Sequence, residues 1–304
     1  MKQEYIKQHV VPKCYLDRFA EHNNGKYIIG TRTITNDGKV KLFERSTADV
    51  GYIKNYYDVT DKEDPKYWEH FLAKKIDALC DRPLGSIITS ITLAGEGYNM
   101  SDDDKGTLSS IIIAQMLRVP ASFDYVTTSL YPRIEKEVKE EFYSTFPKEI
   151  TQKYKSKIDG FQMSKQIQKD YYLNYIFDND NFNRFVGILK RRTWVIFVNA
   201  IRKDLPFVTS DNPVIVEDLN NRNSIGIFNN GIANPSTCIF FPITPTIAIA
   251  NYSDKGIFAP ATVKLNGKIF TLNESKFIIE KNLLVIDHAH KHSFIPEPLF
   301  SNIK

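Results

Sequence analysis

Apolar and polar positions change their period several times along the chain, and each change predicts an element. Residues 26–34 and 39–45 read as strands joined through Asn36-Asp37-Gly38, a run suited to a tight hairpin. Asp64-Pro65 then opens a helix in which Trp68, Phe71, Leu72, Ile76 and Leu79 recur at helical spacing. That helix is expected to end before Pro83, with a second short apolar helix over 84–93. Ser101-Asp102-Asp103-Asp104 predicts a helix start, because short polar side chains satisfy free amides and negative charge suits the positive helix end. The helix it opens reaches Arg118-Val119-Pro120.

Residues 121–184 differ in texture and read as a helical, insertion-like segment. Long charged and aromatic runs at 133–141 and 153–169 predict exposed amphipathic helices. From 193 the period shortens to two, with Trp194, Ile196 and Val198 on one side and Val195 and Phe197 on the other. Short strands follow at 205–209, 214–216, 238–242 and 247–251, separated by Pro, Asn and Gly. A late helix over 277–283 and a strand over 284–288 complete the pattern. The expected fold class is α+β, with an N-terminal β-hairpin, a helical middle and a mainly antiparallel C-terminal sheet, built as one domain over 1–304.

Composition adds bounds. With 42% hydrophobic and 25% charged residues among 304, the chain can build a large core, which excludes a disordered or low-complexity protein. Forty Lys and Arg against 36 Asp and Glu leave a charge of +4, too mild to announce a nucleic-acid protein yet compatible with a phosphate-bearing partner. Cys14, Cys80 and Cys238 follow neither a disulfide framework nor a zinc-binding spacing, so a reducing cytoplasm is the expected compartment. Neither an apolar signal core nor a membrane-spanning stretch is present in the sequence, so no membrane association is expected.

Candidate chemistry lies where polar residues interrupt apolar patterns. Leu108, Ile111, Ile112, Gln115 and Arg118 share one helix face, so an amide and a guanidinium sit in an apolar stripe and need partners. Arg118 either caps a carboxylate or carbonyl groups, or binds an anionic ligand. Thr209-Ser210-Asp211-Asn212-Pro213 follows a hydrophobic strand; it suits a metal, sugar or phosphate, or a turn that bonds its own backbone. His9 is a general base, a metal ligand or a structural hydrogen-bonding group. Glu69 and Asp77 lie eight apart, about 80° around an ideal helix, so they face one cleft or, for Asp77 in particular, a solvated edge beside Lys74 and Lys75. His288, His290 and His292 alternate, as in a metal-binding strand or an exposed one.

Taken in order, His9, Val11-Pro12, Tyr15-Leu16 and Phe19, then Gln115, Arg118 and Pro120, then Ser210 to Val214, resemble a bacterial family catalogued as domain of unknown function 4238. Pro242-Ile243-Thr244-Pro245 is similar to its Pro-x-x-Pro stretch, and Glu69 and Asp77 stand where members often carry two glutamates. The resemblance spans most of the chain and names no reaction. It implies that His9, Glu69, Gln115, Arg118 and Ser210-Asp211-Asn212 converge.

The leading expectation is a metal-assisted hydrolase of a phosphate-containing substrate, a small molecule or nucleic acid, acting as a toxin or defence-type effector. In it His9, Glu69 and Asp211 are catalytic, Glu69 and Asp211 hold a divalent metal, and Gln115, Arg118, Ser210 and Asn212 bind substrate. The alternative is a non-catalytic module that binds a small anion or a protein partner. A third reading makes the same residues a structural polar network.

Overall fold

The computed structural model describes residues 7–35, 37–201, 204–221, 226, 231–297 and 299–303. The chain opens with β1 (Lys7–His9), α1 (Lys13–Leu16), β2 (Glu21–Asn23), β3 (Lys26–Ile34), β4 (Val40–Ser46) and β5 (Tyr52–Lys54). A helical stretch follows: α2 (Tyr67–Leu72), α3 (Ala78–Ala94), α4 (Asp102–Arg118), α5 (Pro120–Tyr125), α6 (Tyr131–Thr145), α7 (Lys148–Asp159), α8 (Lys165–Ile176) and α9 (Asn179–Arg191). The remainder comprises β6 (Thr193–Asn199), β7 (Thr209–Ser210), β8 (Ile215–Asp218), β9 (Thr237–Thr244), β10 (Ile247–Tyr252), α10 (Ala259–Thr262), β11 (Lys268–Leu272), α11 (Ser275–Asp287), β12 (His292–Ile295) and α12 (Leu299–Ile303). The fold is α+β, with the hairpin, helical middle and mainly antiparallel C-terminal sheet in the expected order.

The larger C-terminal sheet runs β11-β6-β10-β9-β8; its pairs are antiparallel except β11 with β6. Strand β6 is buried on both faces. Trp194 and Ile196 join the core shared with the helices, whereas Val195 and Phe197 pack in the cluster that holds Ile278 and Val285 of α11. A second sheet, β2-β3-β12-β7 with β4 on the other edge of β3, pairs the N-terminal hairpin with the C-terminal strand. The close approach of α12 depends on Gly30, since a Cβ there would lie 2.3 Å from the Phe300 ring.

Five local expectations are corrected. The first helix does not end at Pro83: the chain stays helical from Tyr67 to Ala94, with a π turn over Ala73–Asp77 and Pro83 inside α3. Arg18 Nη2 donates to the carbonyls of Cys80 and Asp81, supplying partners in the turn that the proline ring disturbs. The run at 153–169 is two helices, separated around Gly160 and restarted by Ser164, whose hydroxyl accepts the Ile167 amide. Of 205–209 only Thr209 is in a strand, because the Val208 amide bonds the Asn282 side chain instead of a neighbouring strand. Residues 284–287 belong to α11, where Ile278, Lys281, Asn282 and Val285 give the helical period of buried positions. The alternating histidines are therefore not one extended run: only His292 lies in β12.

The Ser101 capping box forms as expected, with Ser101 and Asp104 exchanging side-chain and backbone hydrogen bonds. Strands β3 and β4 pair in register, Thr31 opposite Phe43. Asn36 of the connecting turn lies outside the described residues. Among the described residues, no helix is long and apolar enough to cross a membrane.

Candidate functional site

The N-terminal segment is fixed by backbone bonds before any side chain acts. β1 pairs with β5, and the Gly51 carbonyl accepts the amides of Val10 and Val11 at 2.9 and 3.2 Å. Gly51 has φ +65, and a Cβ there would approach the Leu16 side chain to 2.8 Å, so the turn needs glycine. From the other side Gln115 Nε2 donates to the Val10 carbonyl at 2.9 Å, and Arg118 Nη2 donates to the His9 carbonyl. The polar pair in the apolar stripe of α4 thus satisfies the backbone of this segment.

Arg118 is 1% exposed and its other donors are also engaged. Nη1 meets Asp77 at 2.5 Å and Nε donates to the Tyr57 hydroxyl at 3.1 Å. Burial opposes its charge, but Asp77 and Tyr57 more than reverse that effect, so the guanidinium remains ionised. Burial also pushes Tyr57 up to about 12. Of the two roles open to Arg118, the contacts are those of a carboxylate and carbonyl cap. Asp77 is correspondingly no solvated helix edge: it is the counter-ion of a buried arginine.

The π turn accounts for this placement. In an ideal α-helix Glu69 and Asp77 would stand about 80° apart, whereas one residue absorbed by a π turn reduces the step to that of seven residues, about 20°. Both carboxylates then flank Arg118. Glu69 is half-buried, and burial raises its pKa against the pull of Arg118. His9 lies in the same field: burial lowers its pKa, a hydrogen bond to the Thr47 backbone opposes this, and Arg118 adds to the depression. Its Nε2 is buried without a hydrogen-bond partner.

The Ser210-Asp211-Asn212 turn serves a different place. The Asp211 carboxylate accepts the amides of His290, Lys291 and His292 at 2.8, 2.9 and 2.8 Å. Ser210 Oγ accepts the Asn212 amide, and Asn212 Nδ2 donates to the His288 carbonyl. The motif bonds backbone, its own and that of the 288–292 turn. Burial still leaves the Asp211 pKa raised, despite the three amides that oppose it. Asp211 and Glu69 face different groups: Asp211 the amides of residues 290–292, Glu69 the charges of Arg118, Asp77, His70 and Lys66. The expected joint ligation of a metal by Glu69 and Asp211 is therefore not formed by these positions. Among the described residues, no group of three or more His, Cys, Asp or Glu is arranged to hold a metal ion.

Beside Asp211 lies a cavity of about 650 Å³, to which Val10, Pro120, Asp211, Thr31, Arg45 and His292 contribute. Thr31 is 0% exposed and its Oγ1 has no partner. His292 Nδ1 is 2.7 Å from Thr33 Oγ1, and burial pushes its pKa down to about 4, so the ring is neutral near pH 7. Two acids on the wall are occupied, Asp211 by amides and Asp49 by Lys7. Among the described residues, neither Arg45 nor Lys291 on the same wall takes part in an ion pair.

Over residues 7–295 the chain matches the model of a family described as protein of unknown function (DUF4238). The chain belongs to the DUF4238 family. No curated protein and no solved structure matches it.

In this DUF4238 protein the segments that carry the resemblance meet through hydrogen bonds. The Tyr15 hydroxyl lies 2.8 Å from Thr209 Oγ1 and donates to the Pro242 carbonyl at 2.7 Å, while its ring stacks on Phe241. Gln115 and Arg118 hold His9 and Val10, and Val10, Pro120 and Asp211 share the cavity wall. His9, Glu69, Gln115 and Arg118 gather around one centre; Ser210, Asp211 and Asn212 stand at another. Sequence reasoning missed Tyr57, Thr31 and Arg45, which lie in strands or loops without motif spacing. For Asp77 a signal existed in its spacing from Glu69, but ideal helix geometry hid it.

Proposed function

We propose that this DUF4238 protein binds a small anionic molecule, a phosphate-containing one foremost, in the cavity shared by Val10, Pro120 and Asp211. The observation that carries this reading is that Arg45 and Lys291 on that wall take part in no ion pair among the described residues, while its acids Asp211 and Asp49 are engaged within the protein; behind them the Thr31 hydroxyl is fully buried and unsatisfied. A buried hydroxyl without a partner costs about 1–3 kcal/mol, which a ligand acceptor would offset. Arg45, whose guanidinium lies over the Phe43 ring, and Lys291 supply positive charge on the wall, and Tyr52 lines it beside them. The protein acts in this reading as a cytoplasmic sensor or recognition module, with a protein partner reading the bound state. Calorimetric titration with inorganic phosphate and with nucleoside phosphates tests it. Saturable binding that weakens about 10–100-fold in Arg45→Ala is expected. Unchanged heats in wild type and variant across these ligands overturn the proposal.

A second reading is hydrolysis of a phosphate-containing substrate, including nucleic acid, favoured by the unpartnered His9 Nε2 and the half-buried Glu69, which both stand in the field of Arg118 and Asp77. Water would lose its proton to His9 as its oxygen attacks phosphorus, and protonated Glu69 would give its proton to the departing oxygen. A divalent ion, if required, would need ligands other than the Glu69 and Asp211 pair. Cleavage of RNA, DNA or nucleotides lost in both His9→Gln and Glu69→Gln would establish this reading; retention of cleavage in either variant would remove that residue from it.

A further inference from the structure

Cys14 on α1 is partly exposed, and Cys80 on α3 is buried beneath it. The Cys80 thiol donates toward the Cys14 sulfur, and the Cys14 thiol in turn donates to the Asp77 carbonyl oxygen at 3.4 Å, which places the two sulfurs side by side. Arg18, one turn beyond Cys14, grips the carbonyls of Cys80 and Asp81, so the two segments are held in place around the sulfur pair. Nothing in the sequence marks this pair, because the two residues belong to separate elements with no motif spacing.

We propose that Cys14 and Cys80 form a site of reversible oxidation, closing to an intramolecular disulfide when the protein meets a peroxide. The Cys80 thiol donates to Cys14 and, with Arg18 nearby, lowers the Cys14 pKa, favouring its thiolate as the attacking group. The Cys14 thiolate attacks one oxygen of hydrogen peroxide; the O–O bond breaks, and the leaving hydroxide takes a proton to become water. Cys14 is then a sulfenic acid. Cys80 sulfur attacks Cys14 sulfur, the S–O bond breaks, and the departing hydroxide leaves as water with the Cys80 proton. Overall, two thiols lose two electrons and two protons, and one peroxide becomes two waters. The disulfide would tie the His9-to-Tyr15 segment covalently to the helix that carries Glu69 and Asp77.

Cys238 is an internal control. It lies buried in the other core cluster with the Tyr252 hydroxyl rather than a second thiol beside it, so it should find no partner for a disulfide. The test treats the purified full chain with a small excess of hydrogen peroxide, counts thiols in denaturant and maps peptides by mass. Titratable thiols should fall from the three of the sequence to one, with a Cys14–Cys80 cross-linked peptide that dithiothreitol reverses. Cys238→Ser should preserve the cross-link and Cys14→Ser should abolish it. Retention of all three thiols, a link to Cys238, a link between chains, or stable sulfinic acid at Cys14 with Cys80 still free overturns the assignment. The wild-type peptide map decides the matter even if a variant folds poorly.

Discussion

Two polar centres share the N-terminal segment, His9 joining one and Val10 lining the other, and they handle charge in opposite ways. Around Arg118 the donors meet Asp77, the Tyr57 hydroxyl and the His9 carbonyl, so the buried guanidinium is satisfied within the protein. Around the Asp211 cavity the acid is likewise satisfied by three amides, yet Thr31 is left without a partner, and Arg45 and Lys291 on the wall take part in no ion pair among the described residues. The Arg118 centre thus satisfies its charged group and leaves His9 Nε2 unpaired, whereas the cavity beside Asp211 combines an unmatched buried hydroxyl with open volume for something from outside.

The contrast breaks most sharply at Asp77. Asp77→Ala leaves a buried guanidinium without its counter-ion, and removal of one partner of such a pair costs about 3–5 kcal/mol. Urea unfolding should show a loss of that size; a loss below about 1 kcal/mol would mean that solvent replaces Asp77 and the centre is open. Asp211→Ala should come next, at about 2 kcal/mol, since three amides lose their acceptor while the burial penalty on the carboxylate is also relieved. Its loss should be accompanied by faster amide exchange at His290, Lys291 and His292. Unchanged exchange there would refute the anchoring role.

The sequence exposed the two centres unequally, for physical reasons. The Arg118 and Gln115 positions announced themselves because polar groups in an apolar helical stripe must find partners, and the capping box at Ser101 placed that helix. Asp77 did not, because its facing depends on a π turn whose extra residue leaves no mark in the hydrophobic period. In the C-terminal sheet β6 was readable from alternation and β8, β9 and β10 from short apolar runs between Pro, Asn and Gly, whereas the edge strand β11 left no such mark. The 284–287 run misled because Leu284, Val285 and Ile286 look like a strand until Lys281 is seen to bury its length and pair with Glu217. Thr31 was invisible: whether a strand threonine finds a partner depends on contacts across the sheet, and no local pattern encodes them.

The pH dependence sharpens the comparison at lower amplitude. His292 titrates at about 4 in the fold against 6.5 unfolded, so between those values the unfolded chain binds more protons. Stability is present above 6.5 and is lost as pH falls toward 4; His9 and His288, also lowered by burial, act in the same direction. The raised carboxylates Asp211 and Glu69 act oppositely: they favour the fold at low pH, and that contribution is lost as pH rises through their folded values. His292→Gln should flatten the decline of melting temperature between 6.5 and 4 without removing it. An unaltered slope would show that the His292 ring is solvated rather than buried against Thr33.

The smallest effect is the most discriminating. Thr31→Val is nearly isosteric and removes a hydroxyl that has no partner in the ligand-free protein, so the variant should be slightly more stable, by about 1 kcal/mol. If the hydroxyl meets a ligand acceptor, the same change should weaken binding up to about tenfold. A residue that serves packing alone moves stability and affinity in the same direction or leaves affinity unchanged. Gain of stability together with loss of affinity therefore assigns Thr31 to the cavity's contents, while a destabilised variant would show that its hydroxyl is satisfied within the protein and that the open centre is as closed as the one around Arg118.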